Sequence, residues 1–227
     1  FDLKPFLLPG PLKVLEASTD NVAKIAAATA RTALAAVGGF LASLVAGTLI
    51  ACGFSQSKLI RTSCYPYAIF LQTVPIVAIA PLIITWFGSG FRSVVIVAFI
   101  ISLFPIITNA TAGMLAIDPD LNDLFRLHRA RRLQVWLKLR LPNSVPHILT
   151  GARTSSGLAV IGAIVGEFFA GYGSDNYGLG YLILQTSNQL RTAELFACVI
   201  ASTLLGIAIF ASMSVIHATI LRRWYDA

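Results

Sequence analysis

Charge is scarce in this chain. Only 12% of its 227 residues are Asp, Glu, Lys or Arg, against 56% hydrophobic, and the mean hydropathy is +0.78. That poverty excludes an ordinary water-soluble domain, in which about a quarter of the residues are charged. Residues that carry chemistry are just as sparse. Cys52, Cys64 and Cys198 are odd in number, lack metal-ligand spacing and read as small buried hydrophobes. His128, His147 and His217 stand apart from one another, and no serine has a His and acid partner in a hydrolase motif. Neither a metal centre nor a nucleophilic site emerges, and no cofactor is expected on this chain. No glycine is followed by Lys-Ser or Lys-Thr, which excludes a phosphate-cradling loop. An initiator Met and a secretory leader are also missing. The chain opens FDLKPFLLPG, and a native N-terminus further upstream is expected.

What is present is long apolar sequence. Five windows, approximately 33–54, 65–88, 94–114, 148–170 and 195–216, are each long enough to cross roughly 30 Å of hydrocarbon as a helix. They are continuous runs rather than short alternating segments, so a membrane β-barrel is excluded. The expected architecture is all-α: one polytopic membrane helix bundle over residues 1–227, with a sixth span upstream in the full-length protein. The formal charge of +7 does not point to nucleic acid, because the basic residues sit in short breaks between apolar runs. If the segment 118–146 is cytoplasmic, its side collects Lys58, Arg61, Arg126, Arg129, Arg131, Arg132, Lys138, Arg140, Arg222 and Arg223. Arg92 and Arg191 are then the only basic residues of the two outer loops. Positive charge favours the cytoplasm, so this orientation is the expected one, with the C-terminus inside.

The break at 118–146 is a basic, amphipathic hairpin between two spans. Asp118 then Pro119 makes a helix start, with Asp120 where the helix dipole favours an acid. Leu121, Leu124 and Phe125 recur at helical spacing, and Leu133, Trp136 and Leu137 repeat it. Two short amphipathic helices are predicted, closed by Pro142 and Pro146. A docking surface and an interfacial helix whose arginines meet anionic lipid are the two readings of that pattern.

The hairpin resembles the cytoplasmic loop of permease subunits in bacterial ATP-binding cassette importers. There, Glu-Ala-Ala, three residues, Gly, nine residues, an aliphatic residue and one more precede Leu-Pro. Counting back from Leu141-Pro142 puts Asp123, Leu124 and Phe125 on the triplet, Arg129 on the glycine, Ala130 after it and Leu139 on the aliphatic position. Arg129 departs from the pattern, and its Cβ is expected to resist the left-handed turn that a glycine accepts. The run from Gln72-Thr73-Val74-Pro75 through Ala80-Pro81-Leu82 to Trp86-Phe87-Gly88 is similar to the nitrate, sulfonate and taurine branch. So are the stretch after Phe6, Gly151-Ala152-Arg153, Gly166-Glu167 and Gly178-Leu179-Gly180-Tyr181-Leu182-Ile183. The resemblance implies a type I permease fold in the bacterial inner membrane and two permease copies forming a pathway for a small anion or organic solute. It also implies a cytoplasmic ATPase dimer that holds ATP and Mg, and a periplasmic or lipid-anchored binding protein. ATPase coupling falls to Asp123, Leu124, Phe125, Arg126, Arg129, Ala130, Leu133 and Pro142.

Pathway candidates come from residues that the membrane penalises. Glu167 ends a charge-free run, where a carboxylate needs protein, water or a partner; it reads either as a gate or as an interfacial acid paired with a loop residue such as Arg191. Pro75 and Pro81 remove backbone donors inside one window, so a kink or unwound segment is expected there, and the span that carries them and Trp86 reads either as lining the pathway or as a simple structural bend. Such backbone is tolerated only where protein or a cavity satisfies it. Gly162 and Gly166 suit close helix packing, within the chain or at a subunit interface, and Arg153 is placed to snorkel. The glycine-rich stretch after Ala170 reads as a flexible outer loop. A self-contained secondary transporter or channel is the competing class, but one intramembrane acid and no internal repeat speak against it.

Overall fold

The computed structural model describes residues 9–170 and 177–225, with side chains to 222. Every regular element among them is helical. After α1 (Pro11–Asp20) come α2 (Val22–Gln56), α3 (Lys58–Thr73), α4 (Ile76–Phe87) and α5 (Phe91–Leu115). The elbow follows as α6 (Pro119–Leu127), the short α7 (Arg132–Val135) and a π turn (Trp136–Arg140) that runs into α8 (Leu141–Ala170). Then come α9 (Leu179–Asn188) and α10 (Thr192–Tyr225). By length and composition four helices can each cross a membrane, and α3 with α4 makes a fifth span if the bent pair is counted as one.

The core is a bundle of α2, α5 and α8, and small residues make it possible. Ala98 of α5 is gripped from both sides: a Cβ on Gly39 of α2 would lie 2.6 Å from its Cβ, and one on Gly162 of α8 would lie 2.7 Å from its Cα. With no water to squeeze out between helices in lipid, such close backbone approach is what drives association. Gly162 and Gly166 therefore pack within the chain, against Ala98, Val94 and Val97, which decides between the two packing readings. A polar seam pins the same three helices. The Ser43 and Ser102 hydroxyls are 2.9 Å apart, and Ser155 donates to the Ser102 carbonyl at 2.7 Å.

The window 65–88 is not one continuous helix. It breaks between Thr73 and Ile76 with a bend of 98°. The cause is local: Val74, the residue before Pro75, is forced into extended geometry at ψ 127°, and Pro75 starts the next helix. Pro81 produces no break, contrary to expectation, since α4 runs through it from Ile76 to Phe87. The hairpin also differs from its prediction. Its first helix is as read, with Asp118 Oδ1 accepting from the Asp120 amide at 2.9 Å. The second is continuous with the next span as one helical rod from Arg132 to Ala170, and Pro142 and Pro146 lie inside that rod instead of closing the hairpin. Of the cysteines, Cys198 is buried, Cys52 half-buried and Cys64 exposed, so the buried reading fails at Cys64.

Candidate functional site

The turn between α6 and α7 shapes the elbow. Arg129 takes φ +48°, in the left-handed region, despite its Cβ. Its amide donates to Arg126 O and the Ala130 amide to Phe125 O, both at 3.0 Å, which is the paired closure normally built with glycine. The expected resistance is thus overcome by two backbone hydrogen bonds, and the tight turn forms without a glycine. Leu124, Phe125 and Ala130 come together with His128, Gln134 and Lys138 around a cleft of about 350 Å³. Leu124 remains 49% exposed and Leu133 64%, a costly amount of apolar surface if water were its only neighbour. Asp123 pairs with Arg126 at 3.4 Å on the exposed side of α6. Such exposed pairs contribute little stability, so this one serves to arrange charge. Pro142 stands apart, within the first turn of α8.

The pathway candidates divide in two. Pro75 marks the break and Trp86 lies 71% exposed near the end of α4, whereas Pro81 sits in the helix between them. Glu167 is elsewhere and only 5% exposed. Its carboxylate accepts from Thr32 Oγ1 of α2 at 2.9 Å and from the Gly180 amide at 2.8 Å. Thr32 Oγ1 in turn accepts from the Leu179 amide at 2.9 Å. The first turn of α9 has amides with no partner inside the helix, and an acid there meets the positive end of the dipole. Glu167 therefore caps α9 from α8, with Thr32 as the bridge to α2. It does not pair with Arg191, which lies 3.3 Å from Glu194. The same carboxylate borders a cavity of about 310 Å³ shared with Arg31, Phe91 and Tyr177.

Sequence reasoning missed Thr32, one hydroxyl in an alanine-rich helix. It also read Gly178 and Gly180 as flexibility. A side chain on Gly178 would collide with the Glu167 carboxylate, and one on Gly180 with the Ile164 carbonyl, so both are glycine for want of space. The rest of that outer stretch, 171–176, lies outside the described residues. Arg153 is exposed, its guanidinium 5.0 Å from the Phe210 ring centre.

The family described as "binding-protein-dependent transport system inner membrane component" matches residues 39–225. A formylaminopyrimidine transport permease protein of Halalkalibacterium halodurans is 31% identical over 219 residues, covering 96% of this chain and 86% of the relative. A riboflavin transport system permease protein of Chloroflexus aurantiacus is 30% identical over 194 residues, covering 86% and 71%. A nitrate import permease protein of Leptolyngbya laminosa is 28% identical over 198 residues, covering 87% and 68%. Among solved structures, an amino acid ABC transporter crystallised with histidines shares the fold with a TM-score of 0.69 at 18% identity, over 90% of this chain and 96% of that one.

Proposed function

Because this chain belongs to the binding-protein-dependent transport system inner membrane components, the permease subunits of ABC importers, we propose that its elbow is the surface through which a separate cytoplasmic ATPase drives it. The observation that carries this reading is the elbow's build. An apolar cleft formed by Leu124, Phe125 and Ala130, with Leu133 exposed beside it, crowns a helical rod that is itself a span. ATP and Mg are held by the ATPase dimer. Closure of that dimer displaces the elbow, and the attached spans re-tilt as rigid bodies. Leu124, Phe125, Ala130 and Leu133 fill a groove on the ATPase, while Asp123, Arg126 and Arg129 set orientation and association rate more than affinity. Pro142 belongs to the rod rather than to the contact.

Residues 1–227 act as one permease domain in the bacterial inner membrane, and a second copy completes the pathway. The elbow and the C-terminus are cytoplasmic, which agrees with the excess of Lys and Arg on that side. The binding protein docks on the opposite face. The broken α3–α4 span, with Pro75, Pro81 and Trp86, lines the pathway, because irregular backbone at membrane depth needs a cavity or protein around it. Glu167 acts as a structural cap at the outer gate and not as a solute ligand, since its oxygens are already engaged. The solute is a small organic molecule or anion of the kinds named for the relatives: a pyrimidine vitamin precursor, riboflavin, nitrate or a sulfonate.

Phe125→Asp tests the docking surface. With the ATPase and binding protein co-expressed, uptake of labelled formylaminopyrimidine, riboflavin, nitrate and an alkanesulfonate is measured in turn. The variant is expected to insert normally and to lose uptake of whichever solute the parent takes up. Parental uptake by the variant would remove the elbow from the mechanism.

A further inference from the structure

A displaced elbow moves only what is tied to it. The chain ties it to α5, which precedes α6, and to α8, which continues α7 and the π turn. The third rod of the core, α2, has no such link to the elbow. Two side chains at the joint supply one. Arg140, the last residue of the π turn, is half-buried and donates from Nη1 to the carbonyl of Ser55, in the last turn of α2. Asn143 follows three residues later and donates from Nδ2 to Gly113 O at 3.1 Å and Ala116 O at 2.7 Å, at the end of α5. All three acceptors lie at helix C-termini, where carbonyls have no partner inside the helix and the dipole is negative. A cation and an amide donor are what those ends require. The π turn holds one more residue per turn than an α-helix, and so helps set which face Arg140 and Asn143 occupy. Next to them the fit leaves no slack: a Cβ on Gly113 would lie 2.6 Å from that of His147.

We infer that Arg140 and Asn143 form a clasp through which displacement of the elbow reaches α2 and α5 as well as α8. They are positioning residues for transport, outside both the docking cleft and the solute pathway. The clasp accounts for a mechanical difficulty: the elbow is continuous with α5 and α8 but not with α2, whose end beside the elbow would otherwise be free to lag. The hydroxyl and glycine contacts of the core fix α2 against α5 further along the bundle, but the clasp acts where the push arrives.

The inference rests on the ATPase-driven reading, and the test separates the two. The complete transporter, with its ATPase and binding protein, is placed in nanodiscs and trapped with ATP and vanadate. Spin labels at Gln56, the end of α2, and Leu137, in the π turn, report whether α2 follows the elbow; labels at Leu137 in the two copies report whether the elbow moves at all. In the parent the Leu137–Leu137 distance changes on trapping while Gln56–Leu137 stays narrow and fixed. In the double variant Arg140→Leu with Asn143→Asp, Gln56–Leu137 shifts or broadens by about 2 Å or more on trapping, the scale of helix shifts in such transitions. The pair Arg140→Lys with Asn143→Gln keeps both donors and restores the fixed distance, which simple loss of packing would not allow. If the elbow moves and Gln56 follows it equally in the double variant, the clasp is overturned. If the elbow does not move in the parent, the ATPase-driven reading falls and the clasp with it.

Discussion

The Glu167 carboxylate shows how much one buried acid can organise. It is held by a hydroxyl from α2 and an amide from α9 while itself belonging to α8, so three helices meet on one group. Removing it orphans the Gly180 amide. Glu167→Ala is expected to lower stability by about 2 kcal/mol, the cost of one buried amide left unpaired. Thr32→Val should act through the same network, so the double variant loses less than the sum of the singles. Thermal unfolding in detergent measures both, and strict additivity would disconnect the pair. Arg129 offers the opposite case. A left-handed residue with a Cβ costs roughly 1–2 kcal/mol, partly offset because glycine is freer when unfolded. Arg129→Gly should therefore stabilise the chain by about 0.5–1 kcal/mol in the same assay. Unchanged or lowered stability would show that the guanidinium contributes more to the fold than the turn costs. The sequence announced Glu167 as exceptional but not its partners, because Thr32 is 135 positions away and nothing local marks it. Arg129 was legible as a departure from the family's glycine. The outcome, a preserved turn, followed from closing hydrogen bonds that become visible only in the fold.

Among the elements, the spans were legible because apolar length is a one-dimensional property. Their ends were not. α2 starts at Val22, well before the window at 33, and the helix of α8 reaches back to Arg132 through residues polar enough to read as a separate piece. Apolar content reports where lipid begins, whereas a helix continues wherever its backbone bonds can. Proline shows the same limit. Pro75 follows a residue that turns extended and ends α3, while Pro81 is absorbed inside α4, and the two look alike as letters. The glycine seam is the most exacting part of the bundle. Gly162→Val should press on the backbone of Ala98 and separate α5 from α8, at a cost of about 1–3 kcal/mol or more. Gly157→Val, where a Cβ would meet nothing within 4 Å, is the control and should be nearly neutral. Equal losses at the two sites, read as unfolding midpoints in detergent, would refute the seam.

At the scale of the whole molecule the proposed mechanism makes the chain a lever mounted on a packed core. α2, α5 and α8 are packed into one core by glycine contacts and a serine seam that leave little room to slide. The α3–α4 span is bent and holds much of its apolar surface outward. α10 also turns many of its apolar side chains outward, among them Leu204, Ile207 and Val215. A membrane is the environment in which such surfaces are stable. The elbow differs, because its exposed leucines stand among arginines and ask for a protein partner with its own apolar groove. That claim is tested most directly by placing a photo-crosslinking amino acid at Phe125 in the intact transporter in its native membrane. The account predicts an adduct between this chain and the ATPase subunit, formed from the cytoplasmic side. Adducts with lipid alone, or labelling of position 125 by a membrane-impermeant reagent from the periplasm, would contradict it.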